Sequence, residues 1–153
     1  MDQFPVTENS RMRNSRVLGF DYGHVRIGVA VGNGATGTAE ALTTVRSKNT
    51  VPDWQQLDQL IREWKASRLV VGLPLSMAGE ETVMSAQARK FGRSLAERSG
   101  LEVDFVDERL SSVAADQLIQ EITPERKKIR KKHTRQRDNI AAQLILQTYF
   151  GDN

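Results

Sequence analysis

The chain has no cysteine and only two histidines, His24 and His133. The first absence excludes disulfides and thiolate metal centres, and the second leaves too few imidazoles for a histidine-based zinc site. A reducing, cytoplasmic setting is the expectation. Long hydrophobic runs are missing too: no segment approaches the roughly 18 apolar residues of a membrane span. The opening MDQFPVTENSRMRNS has no apolar stretch of signal-peptide length, so residues 1–15 read as a disordered tail. The 153 residues allow one domain with a core of ordinary size, taken as 16–150.

What the chain does have is charge, unevenly placed. The net charge is +3, yet ERKKIRKKHTRQR, from Glu125 to Arg137, holds eight Lys or Arg against one Glu and so leaves −4 for the rest. Those eight are Arg126, Lys127, Lys128, Arg130, Lys131, Lys132, Arg135 and Arg137. Such a run reads as a mobile basic loop over 123–137 whose natural partner is a phosphate backbone.

Periodicity orders the remainder. In RVLGFDYGHVRIGVAVG, Val17, Leu18 and Phe20 read as a buried strand, Tyr22-Gly23-His24 as a turn, and Ile27, Val29 and Val31 as the returning strand. Thr-rich 34–45 suits a third antiparallel strand. Pro52 and Asp53 open a helix with Trp54, Leu57, Ile61 and Trp64 on one face, and Arg68 to Gly72 is a nearly all-apolar strand. Met77-Ala78-Gly79 reads as a surface turn. A helix over 80–99 ends at Gly100 in a left-handed stop, followed by the half-exposed strand Leu101–Asp107. A helix capped by Ser111 or Ser112 runs to Ile122, Pro124 ends it, and a final helix covers 138–150. The pattern predicts a mixed α/β domain: an antiparallel three-strand meander plus two parallel strands, five in all, flanked by helices.

Three acids then stand out. Asp21 ends the first strand, Glu108 follows the last, and Asp138 opens the final helix. Right-handed crossovers make the later strands parallel to the first and bring their C-terminal ends to one edge. Clustered carboxylates repel one another unless hard cations such as Mg²⁺ or Mn²⁺ lie between them. Two such ions, about 3.5 to 4 Å apart, suit phosphodiester hydrolysis. For Glu108 alone, a salt bridge to Arg109 explains the acid equally well.

The segments FDYGHVRIGVAVG, VVGLPLSMAGEE, FVDERLSSVAA and RDNIAAQLILQTYF, in that order from Arg16 to Phe150, resemble the YqgF/RuvX family. The resemblance implies an RNase H-like fold related to Holliday-junction resolvases, and a bacterial cytoplasmic endonuclease maturing the 5′ end of precursor 16S rRNA. It implies Asp21, Glu108 and Asp138 as catalytic and metal-binding residues, with substrate contacts carried by Arg26, Arg109 and the basic run. Partners on this reading are pre-rRNA and ribosome assembly intermediates, for a monomer or weak dimer with no membrane contact. Two alternatives stay open: a nuclease for branched DNA, and a non-catalytic RNA-binding assembly factor.

Overall fold

The computed structural model describes residues 15–109 and 130–151, and of 130–139 the backbone alone. Strands β1 (Arg16–Asp21), β2 (Arg26–Asn33) and β3 (Thr38–Lys48) form the antiparallel meander, and the two-residue β4 (Val51–Pro52) folds back on β3. Helix α1 (Trp54–Glu63) leads to β5 (Arg68–Leu73), α2 (Val83–Ser99) to β6 (Val103–Asp107), and α3 (Arg130–Gly151) closes the described chain. The sheet order is β4-β3-β2-β1-β5-β6, with β5 parallel to both β1 and β6. The expected parallel pair is present, and β4 makes six strands of the expected five.

Local chemistry explains the boundaries. The Asp53 side chain caps α1 by accepting from the Gln56 amide at 3.2 Å, while Thr82 and Ser85 cap α2 reciprocally. Gly100 stops α2 at φ 73°, as the sequence predicts. Asn49 and Thr50 both have positive φ, the twist that a two-residue hairpin between β3 and β4 requires. Proline at 52 ends the pairing on this outer edge, where a missing N–H costs least.

Both faces of the sheet are covered. Leu18, Phe20, Val29, Leu69 and Val71 pack under α1 and α2, with Phe91 and Leu95 of α2 fully or nearly buried among them. Trp54 and Trp64 border this core, half-buried. On the other face, Val17, Ala30 and Val70 meet Ala142, Ile145 and Leu146 of α3. Here glycines let the helix approach: a Cβ at Gly19 would lie 2.6 Å from Leu146 Cγ, and one at Gly32 2.7 Å from the Phe150 ring.

The final helix departs from expectation. Its described part reaches back to Arg130, two turns before Asp138, so Arg130, Lys131, Lys132, Arg135 and Arg137 stand on helical backbone where a loop is predicted. Lys, Arg and Gln are good helix formers, and no Gly or Pro interrupts the chain between Pro124 and Gly151. The remaining expected loop, with Arg126, Lys127 and Lys128, the helix capped near Ser111, and the N-terminal tail all lie outside the described residues.

Candidate active site

Strand alternation decides which acids meet. On β1, Leu18 and Phe20 face α2, so Asp21, two positions after Gly19, belongs with it on the α3 face. On β5, Val70 faces α3 and Val71 faces α2, which puts Gly72 on the α3 face. Phe20 pairs with Val71 and Gly72 with Val106, so Asp21, Gly72 and Val106 stand level across three strands. Glu108 turns back over this row: its carboxyl carbon is 3.4 Å from where a Cβ at Gly72 would be. The two half-buried acids therefore flank a position with no side chain, at the C-terminal edge and on one face.

Helix α3 runs toward this edge. Leu146 lies over Gly19, whereas Phe150, one turn later, lies over Gly32, the neighbour of Val17 at the opposite end of β1. Moving back along the helix thus means moving toward Asp21. The backbone of Asp138 stands two turns before Leu146, roughly 12 Å along the axis. From Gly19 to Asp21 is only about 7 Å along the strand. Ala142 and Leu146 continue its row on the helix. Among the described residues no group of three metal-ligating side chains forms, the Asp138 side chain being outside them.

Neighbouring Asp107 and Arg109 take different parts. Asp107 is level with Leu73 and so points to the α2 side. Arg109 Nε donates to both Asp107 oxygens at 3.0 Å, and Nη2 donates to Oδ2 at 2.5 Å. The Arg109 guanidinium holds the Asp107 carboxyl below the usual range, against a smaller opposing effect of burial. Arg109 also donates from Nη1 to the Met77 carbonyl at 3.1 Å, tying the turn after β5 to the end of β6. That turn carries Gly79 at φ 82° and is the expected surface turn, with Met77 almost wholly exposed. The sequence offers Arg109 as a partner for Glu108, but the structure gives it to Asp107 because successive residues leave a strand on opposite faces.

One residue escapes the sequence reading. Arg26 pairs across β2 and β3 with exposed Arg46, both on the α3 face since Ile27 and Val45 are buried on the other. The pair concentrates positive charge on this face of the sheet. The register that aligns them depends on residues far apart in sequence, and only an arginine at the strand's end hints at it.

At the far edge, an ion network anchors α3. Arg68 Nη1 bonds Asp104 Oδ2 at 2.8 Å and Glu102 Oε2 at 2.9 Å, and the Tyr149 hydroxyl donates to Asp104 Oδ2 at 2.7 Å. Burial, then the bond to Asp104, raises the Tyr149 pKa. The network fixes the C-terminal turns of α3 to β5 and β6, which sets the line along which its first turns advance.

Comparison with known proteins follows this geometry. A family described as "RuvX: Holliday junction resolvase" matches residues 15–152. A protein of Chromohalobacter salexigens named "Putative pre-16S rRNA nuclease" is 47% identical over 137 residues, 90% of each chain. A protein of the same name from Aeromonas hydrophila is 41% identical over 139 residues, covering 91% of this chain and 96% of its own. Among solved structures, the fowlpox virus resolvase with Holliday junction DNA superposes with a TM-score of 0.54 at 14% identity, covering 90% of this chain and 97% of its own. The Thermus thermophilus RuvC–junction complex gives 0.50 at 14% identity, covering 88% and 94%. These two likenesses show the shared RNase H-like resolvase fold. Matched over residues 15–152 by the family and over about nine-tenths of its length by relatives above 40% identity, the chain belongs to the RuvX family.

Proposed function

We propose that this protein is a divalent-metal-dependent endonuclease that hydrolyses phosphodiester bonds in the cytoplasm, with the 5′ end of precursor 16S rRNA as its substrate. The observation that carries the reading is the pair Asp21 and Glu108, flanking side-chain-free Gly72 on one face of the strand ends. The names of the relatives supply the substrate.

The donor set is oxygen only, which fits Mg²⁺ or Mn²⁺, and the missing Cβ at Gly72 lets Ile145 and the Glu108 carboxyl close in over that strand. Asp21, Glu108 and Asp138 are the residues that would hold two ions. When bound, such ions supply a more acidic water and charge neutralisation at the phosphate. The carboxylates also fix the orientation of the attacked phosphate, since each is set on a strand end or helix rather than a long loop. Arg26 and Arg46 draw the phosphate backbone to the rim. The basic residues Arg126, Lys127, Lys128, Arg130, Lys131, Lys132, Arg135 and Arg137 extend that attraction, and Arg109 braces the neighbouring turn.

The test is cleavage of precursor 16S rRNA and of a four-way DNA junction, side by side, with Mg²⁺ or Mn²⁺. Wild type should cut the precursor, and Asp21→Asn should cut roughly a hundredfold more slowly or worse. Preferential cutting of the junction would reassign the substrate to branched DNA. Equal activity of the variant would remove the acids from the chemistry and leave an RNA-binding assembly factor.

A further inference from the structure

The same sheet edge has a second concave feature on the α2 side, away from the acids. A groove of about 430 Å³ lies between the turn after β1, the β3–β4 hairpin and α2. Tyr22, His24, Trp54, Gln87, Lys90 and Phe91 define its walls. Its floor is aromatic: the Trp54 ring stacks on Phe91 with centroids 5.5 Å apart, and Arg98 sits 4.9 Å over the Trp54 ring. Tyr22 leans on Phe91 at 5.0 Å and meets His24 edge to face, and His24 Nε2 bonds Gln87 Oε1.

Two properties select the occupant. His24 is exposed and Tyr22 half-buried at the groove, while half-buried Trp54 has Phe91 and Arg98 against its ring. Among the described residues the lining contains no carboxylate, and exposed Lys90 makes no ion pair. A flat, apolar-edged group attached to an anion matches that combination, and a nucleotide is such a group. Position agrees: Tyr22 directly follows Asp21, and alternation along the strand sends one side chain to each face, with Cα atoms about 3.8 Å apart. A single strand crossing the sheet edge would meet the acids on one side and the groove on the other.

We propose that the groove receives an unpaired nucleobase of the substrate strand, stacked against Tyr22 and His24, with Lys90 on its phosphate. The assignment rests on the nuclease reading for its substrate, but not for its test. The probes are a 12-nucleotide oligouridylate and a strand of equal length built of abasic ribose phosphates, each bound to the full chain in chelator and followed by fluorescence anisotropy. The variant is His24→Ala with Lys90→Ala, two exposed positions, and its urea midpoint should match wild type. Wild type should bind the oligouridylate about tenfold more tightly than the abasic strand, and the variant should lose most of that preference. Equal binding of the two strands by wild type overturns the proposal, as does a variant that keeps the full preference. A wild type that binds as expected yet fails to cut in Mg²⁺ counts against the nuclease reading alone.

Discussion

Replacing Gly72 by alanine tests the packing that holds the acid edge together. The added Cβ would lie 2.5 Å from Ile145 Cδ1, 3.2 Å from Ile145 Cγ1 and 3.4 Å from the Glu108 carboxyl carbon. The last is ordinary contact, so the strain falls on Ile145, which is fully buried and has little space to turn. Overpacking of this kind costs about 1–3 kcal/mol. For a chain of this size, about 2 kcal/mol lowers Tm by roughly 4–8 °C. Ile145→Val removes the offending Cδ1 and by itself costs about 0.5–1.5 kcal/mol for the lost methyl group. In the double variant that methyl's place is taken by the alanine Cβ, so the two costs should not add. Urea unfolding of wild type, both single variants and the double variant closes the cycle, with an expected coupling of about 1 kcal/mol in favour of the pair. Strict additivity, or a harmless Gly72→Ala, would refute the claim that α3 seats directly on Gly72. It would also remove the support for Glu108 lying beside it.

Tyr149→Phe should cost about 1–2 kcal/mol in the same unfolding assay, since it removes a hydrogen bond to a charged acceptor and leaves Asp104 paired with Arg68 alone. Because the folded pKa of Tyr149 is raised, its contribution is intact below about pH 10, the unfolded value, and is lost as pH climbs through the folded one. Wild-type stability should therefore fall on alkaline titration more steeply than that of the phenylalanine variant, and identical profiles would contradict the network. Arg46→Ala should reduce the slope of log affinity against log salt for precursor rRNA by about one, with little change in Tm; an unchanged slope would place the substrate backbone elsewhere.

Much of the architecture is written in short-range pattern. The all-apolar β5, the alternating half-exposed β6, the Gly100 end of α2 and the turn at Gly79 follow from which residues recur at which spacing, whereas α2 starts at Val83 rather than at 80 because Thr82 and Ser85 cap it. The same local signals put Asp21 and Glu108 at strand ends. Helix α3 misled because residues 130–137 carry charge without an apolar stripe in the sequence, and periodicity has nothing to mark there, although helix propensity does.

The order of elements and the placing of acids at strand ends are thus determined by the sequence itself, since each depends on neighbours a few positions away. Tertiary structure alone decided that Asp21 and Glu108 share a face across Gly72 while Asp107 turns away to Arg109. It alone set Arg46 opposite Arg26 and closed the Tyr22–His24 groove against α2. Those outcomes depend on register between strands far apart in the chain, where a slip of one residue exchanges the faces.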